Sequence, residues 1–418
     1  MRISIAKSEI RGAVNAPPSK SYTIRGLTGA ALADGISEVV NPLGSDDTES
    51  AARVLTGVGV GIESEQCAWR VSGGTFREPA ADLFCGDSAA TLRFMTALCT
   101  LVPGTCRLTA GASLAGRPVK PLVEALRKLG VNCTSNGGFA PVTVAGGTLR
   151  GGATDLPGNV SSQFVSALLF IAPRAEQGIS IRLTSPLESK AYVMMTVECL
   201  GRFGIQVSVS PDTIDVSRQT YQPARYAVEG DWSSASYLLA LGAACGELEI
   251  RNLNRHSMQG DRVLLDYLKE MGAEVELVNS TVRVSQSRLR AIRADLSECI
   301  DLLPTMAVLA AVADGVSEFV GIERARIKES DRVAAVAAGL SRMGIATVVE
   351  KNRLTVTGGA PRGAVIDSRG DHRIAMAFSV LGAVAGETVI EGAECVTKTF
   401  PGFWDILVSI GGRLERDR

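Results

Sequence analysis

Histidine is nearly missing from this 418-residue chain, which has His256 and His372 and no other. The nine cysteines are scattered, and none forms a C-x-x-C pair. The sequence therefore supports neither a zinc site nor a disulfide framework, and a reducing, cytosolic compartment is expected. Net charge is absent too. Lys+Arg 43 against Asp+Glu 44 leaves -1, which excludes a nucleic-acid binder that depends on a broad basic face. Long apolar runs are also wanting: the longest, around Met306–Ala313, is far short of a membrane span, and Met1–Ile10 has no apolar signal core. Neither G-x-x-x-x-G-K-[ST] nor a G-x-G-x-x-G following a strand occurs, so ATP hydrolysis and dinucleotide chemistry lose their usual marks.

What is present is enough apolar residue, 46%, for two cores, and the length calls for two domains. One phrase recurs six times: a small-residue apolar helix, a Gly, a strand, a polar loop, an amphipathic helix, another Gly and a strand. The first glycines are Gly35, Gly104, Gly178, Gly246, Gly315 and Gly386, and the second are Gly59, Gly130, Gly204, Gly272, Gly344 and Gly411. Each series repeats at roughly 70 residues, a repeat signature. The second glycine follows phrases such as Leu126-Arg127-Lys128-Leu129 and is expected at the C′ position of a helix, where the chain turns into a strand. Each unit thus reads β-α-β-α-β-β. The pattern is interrupted at Pro17–Lys20 and at Arg225–Asp231, which places a strand from residues 1–17 with residues 230–418 in one domain and residues 18–229 in the other.

The helix starts carry the chemistry. After Pro17 and Pro18, which forbid helix, a helix is expected near Ser21, with Lys20, Ser21 and Arg25 in its first turn: an anion seat. Other first helices open at Asp87-Ser88 with Arg93 one turn in, at Ser161-Ser162-Gln163, at Asp231, at Asp301 and at Asp371-His372-Arg373. Second helices open at Asp46-Asp47, Arg117, Ser189-Lys190, Asp261-Arg262, Lys328 to Arg332, and Lys398. Serine and aspartate there are ordinary caps, but the helix dipole disfavours cations at N-termini. Lys20, Arg117, Lys190, Lys328, Arg332, Arg373 and Lys398 therefore ask for a polyanionic ligand, with phosphate and carboxylate groups suiting Arg and Lys. Sharing of the ligand by two domains implies closure over it. Proton transfer falls to carboxylates or lysines, and Asp301 and Glu329 are the carboxylates best placed among these cations.

The series Pro18-Ser19-Lys20-Ser21 with Arg25, Ser161-Ser162-Gln163-Phe164, Gly230-Asp231 followed by Ser233-Ser234-Ala235, Lys328-Glu329-Ser330-Asp331-Arg332, Asp371-His372-Arg373-Ile374-Ala375-Met376 and Lys398-Thr399-Phe400-Pro401 resembles the motifs of the 5-enolpyruvylshikimate-3-phosphate synthase family, in register over nearly the whole chain. The resemblance implies an inside-out α/β barrel: two domains of three repeats each, helices inside and sheets outside. It implies transfer of an enolpyruvyl group from phosphoenolpyruvate to the 5-hydroxyl of shikimate 3-phosphate, with no cofactor, by a monomer. Shikimate 3-phosphate would be held by Lys20, Ser21, Arg25, Ser161, Ser162, Gln163, Ser189, Asp301 and Lys328. Phosphoenolpyruvate would meet Lys20, Arg93, Arg117, Gln163, Arg332, Arg373 and Lys398. Asp301 would take the attacking hydroxyl's proton, while Glu329, helped by Lys20, would give and retake one at the methylene carbon.

The chain departs from the family's usual pattern at Asp87 and Arg324, each in place of Asn, and at Ala89, commonly Gly. A carboxylate at Asp87 would repel an anionic substrate unless Lys20 or another cation neutralises it, and the Ala89 methyl should crowd glyphosate, which is longer than phosphoenolpyruvate. Two rivals are UDP-N-acetylglucosamine enolpyruvyl transferase and a non-catalytic binder of phosphate ligands. The first typically has a Cys shortly before the Arg of the third motif; Gly111–Arg117 contains none. Against the second stand Lys20, Asp301, Glu329 and Lys398 together.

Overall fold

The computed structural model describes residues 1–65 and 67–417. The chain forms two compact units, one of Met1–Pro17 with Gly230–Arg418, the other of Pro18–Glu229.

In the unit of Pro18–Glu229 the helices are α1 (Lys20–Leu32), α2 (Asp46–Gly57), α3 (Ala89–Leu98), α4 (Ala112–Ala115), α5 (Lys120–Lys128), α6 (Ser162–Ile171) and α7 (Lys190–Arg202). The other unit carries α8 (Trp232–Cys245), α9 (Leu264–Glu270), α10 (Leu303–Ala311), α11 (Arg332–Arg342), α12 (His372–Ala385) and α13 (Phe403–Ser409). Caps written in the sequence start several of them. The side chains of Ser19, Ser88, Ser161, Asp231, Asp331 and Asp371 each accept from a backbone N–H in the first turn of the helix that follows. Ser19 starts α1 at Lys20, one residue before the expected Ser21.

The two helix types differ as their composition requires. The first helices are apolar all round and are buried all round: α8 is buried from Trp232 to Ala243 and α12 from His372 to Ala383. The second helices bury one stripe, as α5 does with Leu122, Val123, Ala125 and Leu126. Each unit has three four-stranded sheets whose strands alternate buried and exposed residues, as in Thr281–Ser285 with Val282 and Val284 inside. Each unit thus places its first helices inside and its sheets outside, around a hydrophobic core of its own.

All six second-series glycines follow a helix C-cap residue and have φ between 80 and 100°, the left-handed conformation that spares glycine a Cβ clash. The first series is not uniform. Gly246 is extended, and glycine is required there for another reason: a Cβ would lie 1.9 Å from the Ile10 carbonyl oxygen of the neighbouring strand.

Strand order in every sheet follows one rule, a parallel pair followed by two antiparallel neighbours, but the chain does not run through it in simple order. In the sheet Arg225–Ala227, Gly35–Val40, Ala68–Gly73, Gly61–Ser64, the first strand comes from the end of the unit, paired parallel with Gly35–Val40. In the sheet Val365–Asp367, Thr388–Glu391, Arg2–Ala6, Arg413–Asp417, the third comes from the N-terminus. Residues 1–17 therefore hold two strands rather than one, and Ile10–Asn15 joins a different sheet, parallel to Gly246–Arg251.

Four expected helix starts move, among them Asp261, which lies in the 3-10 turn Gly260–Val263 with α9 beginning at Leu264. Arg117 lies in the loop after α4, and α5 begins at Lys120. Lys398 ends a 3-10 turn, Ala393–Lys398, with α13 beginning at Phe403. Asp301 sits in the short turn Ile300–Leu302 that leads into α10. The dipole argument does not apply to Arg117 and Lys398, which are held on connecting segments.

Candidate active site

In the unit of Pro18–Glu229, the N-terminal ends of α1, α2, α3 and α6 carry the polar residues. Lys20 opens α1 and its Nζ lies 2.9 Å from Asp47 Oδ2 in the first turn of α2. Arg25, one turn into α1, is buried; its Nε donates to Thr196 Oγ1 at 2.9 Å, Nη1 to the Ser21 carbonyl at 3.0 Å and Nη2 to the Tyr192 carbonyl at 2.9 Å. Its guanidinium also lies over the Phe94 ring. Among the described residues no carboxylate pairs with it. Burial holds its proton affinity below the usual arginine value, while nearby thiol and phenol groups act the other way.

Arg93 reaches from α3 to α6. Nη1 donates to Gln163 Oε1 at 2.7 Å and to Ser161 Oγ at 3.1 Å, Nη2 donates to the Pro118 carbonyl at 3.1 Å, and the guanidinium covers Phe164. The structure thus gathers Arg93, Ser161 and Gln163, with Ser162 buried beside them. Arg117 is buried in the loop near Pro118. Ser189 is buried and precedes α7 in the left-handed conformation, φ 53°, which holds the serine at the helix entry.

Asp87 corrects an expectation. Its carboxylate is not left for a cation to neutralise: Oδ1 accepts from the backbone N–H groups of Ser113 and Leu114 at 3.0 and 3.1 Å. It ties α4, just before Arg117, to the start of α3, while Lys20 is engaged by Asp47.

In the other unit the charges converge on Arg332, at the first position of α11 and 1% exposed. Its Nε donates to Asp371 Oδ2 at 2.9 Å, Nη1 to Asp301 Oδ1 at 2.7 Å and Nη2 to Glu329 Oε2 at 2.5 Å. Arg373 donates to Asp301 Oδ2 at 3.1 Å and Lys328 Nζ lies 3.3 Å from Asp301 Oδ1. Burial pushes Asp301 toward protonation, but Arg373, Lys328 and Arg332 together outweigh it and hold the carboxyl well below the usual carboxylate range. Arg332 itself is held above the usual arginine range: burial opposes its charge, and Asp371, Glu329 and Asp301 more than offset that. Lys398 is 7% exposed, and its ammonium has neither a hydrogen bond nor an ion pair among the described residues. The His372 ring is buried, with Nδ1 3.9 Å from Asp371 Oδ1, too long for a hydrogen bond.

Reading helix starts missed four participants. Asp47 and Asp371 count there only as helix-start residues, yet they carry Lys20 and Arg332. Tyr237, whose hydroxyl accepts from Arg373 Nη1 at 3.4 Å, is buried where the serines of α8 give way to an apolar run, and a buried phenol signals a polar partner. The fourth is Asp261, likewise counted only as a helix-start residue; it lies in the 3-10 turn Gly260–Val263, and the Ser233 hydroxyl donates to it. Among the described residues, no group of three or more His, Cys, Asp and Glu side chains could hold a metal ion, and no helix is long and apolar enough to cross a membrane.

The EPSP synthase (3-phosphoshikimate 1-carboxyvinyltransferase) family matches residues 5–407. A protein of Dehalococcoides mccartyi named 3-phosphoshikimate 1-carboxyvinyltransferase is 50% identical over 421 residues, covering 100% of both chains. One of the same name from Methanothermobacter thermautotrophicus is 43% identical, over 99% of this chain and 100% of its own. The solved EPSP synthase of Acinetobacter baumannii superimposes with a TM-score of 0.84 at 25% identity, covering 99% of this chain and 100% of the other. The enolpyruvyl transferase NikO of Streptomyces tendae, at 18% identity and a TM-score of 0.80 over 99% of this chain and 98% of its own, shares the fold. With a family match over most of its length and a full-length relative sharing half its residues, the chain belongs to the EPSP synthase family.

Proposed function

We propose that this chain transfers the enolpyruvyl group of phosphoenolpyruvate to the 5-hydroxyl of shikimate 3-phosphate, releasing phosphate, as a cytosolic monomer. The family supplies the reaction; one structural observation supports its ligands. Each unit holds a buried or nearly buried cation that, among the described residues, no carboxylate of its own unit answers, Arg25 in one and Lys398 in the other. For Arg25, a charge kept out of water without a counterion is costly and an anionic ligand removes that cost, whereas the Lys398 ammonium keeps contact with solvent and is open to such a ligand. The nine cysteines are free thiols, in keeping with a reducing compartment.

In the unit of Pro18–Glu229, Lys20, Ser21, Arg25, Ser161, Ser162, Gln163 and Ser189 serve shikimate 3-phosphate, and Lys20, Arg93, Arg117 and Gln163 serve phosphoenolpyruvate. In the other unit, Asp301 and Lys328 serve the former, and Arg332, Arg373 and Lys398 the latter. The 5-hydroxyl oxygen bonds to C2 of phosphoenolpyruvate while its proton passes to Asp301. Glu329 protonates C3. In the second half the methyl group returns its proton to Glu329, the C2–O bond breaks with its electron pair leaving on phosphate, which carries away the proton held by Asp301, and the C2–C3 double bond re-forms.

The ion pairs around Asp301 bear on the first step. With Arg373, Lys328 and Arg332 on it, Asp301 is a weak base. A ligand phosphate or carboxylate that draws Arg373 and Lys328 to itself raises the carboxylate's proton affinity as the hydroxyl arrives. Substrate binding and base activation are then one event. Phosphate release on mixing the protein with both substrates tests the reading; release with UDP-N-acetylglucosamine in place of shikimate 3-phosphate, and none with the latter, refutes it.

A further inference from the structure

Asp261 is 1% exposed and takes no part in the chemistry above. The Ser233 hydroxyl donates to its Oδ2, while its Oδ1 is buried and has no hydrogen-bond partner among the described residues. An ionised carboxylate with one oxygen dry and unanswered is not a stable arrangement. The charged groups that act on it lie on three elements: Asp301 on the turn before α10, Arg373 on α12 and Asp231 at the start of α8, with the Cys299 thiol also within electrostatic reach. Burial and the repulsion of Asp301 outweigh the attraction of Arg373 and the Ser233 hydrogen bond, and push the carboxyl up to about 7. Lys328, Arg332 and Arg373 are already matched by Asp301, Glu329 and Asp371. One more negative charge there would be in excess.

We propose that Asp261 is a positioning residue that acts through Arg373: neutral, it leaves the guanidinium to Asp301 and an incoming anion; ionised, it competes for the guanidinium and weakens the hold on phosphoenolpyruvate. Tyr237 is the fixed part of the same support. It lies one helical turn beyond Ser233 on α8, its hydroxyl accepts from Arg373, and burial pushes that phenol up to about 12, so it stays neutral. Ser233 and Tyr237 thus present two contacts from one helix face, one to the group that titrates and one to the group that responds.

The inference rests on the function proposed above, and its test separates the two. KM for phosphoenolpyruvate is measured from pH 6 to 8 in the unaltered protein and in Asp261→Asn, at saturating shikimate 3-phosphate. The substrates' own ionisation is common to both proteins and cancels in the ratio. The ratio of unaltered to variant KM is expected to rise on the order of fivefold through pH 7, the effect of one partly screened charge on another, with kcat changing much less. Ser233→Ala, which removes a hydrogen bond that favours the ionised form, should move the rise to higher pH. A flat ratio overturns the proposal while leaving the reaction intact. If the unaltered protein releases no phosphate, the proposed reaction fails and the Asp261 carboxyl 13C shift decides. A midpoint near 7 that changes in Arg373→Lys supports the coupling; one in the ordinary carboxylate range refutes it.

Discussion

Replacing Arg332 by Leu removes the cation at the centre of the cluster and keeps a side chain of apolar bulk. Arg332 is 1% exposed, and its partners Asp371, Glu329 and Asp301 are 0%, 10% and 15% exposed at the side chain. The three losses are unequal. Asp371 keeps the Arg373 backbone N–H and the Ser330 hydroxyl, and Asp301 keeps Arg373 and Lys328. Glu329 loses the ion pair that holds its carboxylate. Deleting one partner of a buried pair costs ~3–5 kcal/mol, and the contacts that survive argue for the lower half of that range. For a unit of this size the thermal transition should fall by about 10 °C. The pH dependence discriminates. In the unaltered protein the depressed Asp301 contributes stability that is present above the ordinary carboxylate range and lost as pH falls through its lower folded value. In the variant, protonation relieves the Glu329 carboxylate that has lost its Arg332 ion pair, so the deficit should shrink as pH falls from 7 to about 5. Calorimetric unfolding of both proteins across that window reads it. A deficit below ~1 kcal/mol, within the range of surface pairs, or one that does not change with pH, would refute the reasoning.

Lys20→Met should abolish turnover, and it carries a structural cost as well: Asp47, 5% exposed, loses its cation, for ~1–3 kcal/mol. Denaturant unfolding beside the phosphate-release assay checks both, and a variant as stable as the parent would mean that the pair contributes nothing. Gly130→Ala tests the repeat glycines without a packing change. A Cβ there would meet Arg150 Cβ at 3.7 Å, ordinary contact, so the expected ~1–2 kcal/mol is the cost of φ 89° alone. An unchanged denaturation midpoint would count against it. Ala89→Gly should lower the glyphosate concentration needed for half-inhibition, and no gain in sensitivity would remove the idea that this methyl crowds the inhibitor.

The elements legible in the sequence are those set by local chemistry. Ser19, Asp231 and Asp371 announce helices because a cap is decided within three residues, and Gly130 or Gly344 announces a helix end because φ is decided at one. The circular order of strands is not legible. Nothing near Arg225–Ala227 says that it completes a sheet with Gly35–Val40, and nothing near Arg2–Ala6 says that it lies between Thr388–Glu391 and Arg413–Asp417. Those pairings join segments nearly two hundred residues apart or more, and the strands are short enough for their side-chain pattern to suit several neighbours. The candidate site divides likewise. Lys20, Arg93, Arg332 and Arg373 stand out by position, whereas Asp47, Tyr237 and Asp261 act through partners that only the fold brings near.

The internal ion pairs also change what the cations at helix starts demonstrate. From the sequence they demand a polyanion because the dipole opposes them. In the folded units most already have protein partners: Lys20 has Asp47, Arg332 has Asp371, Asp301 and Glu329, and Arg373 and Lys328 share Asp301. Their presence alone is therefore no evidence of a ligand, since the carboxylates explain it equally well. The discriminating residues are those whose charge is not answered, Arg25 and Lys398. For the paired cations an anionic ligand must exchange with a carboxylate rather than fill an open seat, so part of its binding energy goes into breaking existing pairs. On the proposed reading, that exchange would move a cation off Asp301 when the hydroxyl needs a base, and the pairing around Asp301 would then be a condition of the chemistry as well as a support of the fold.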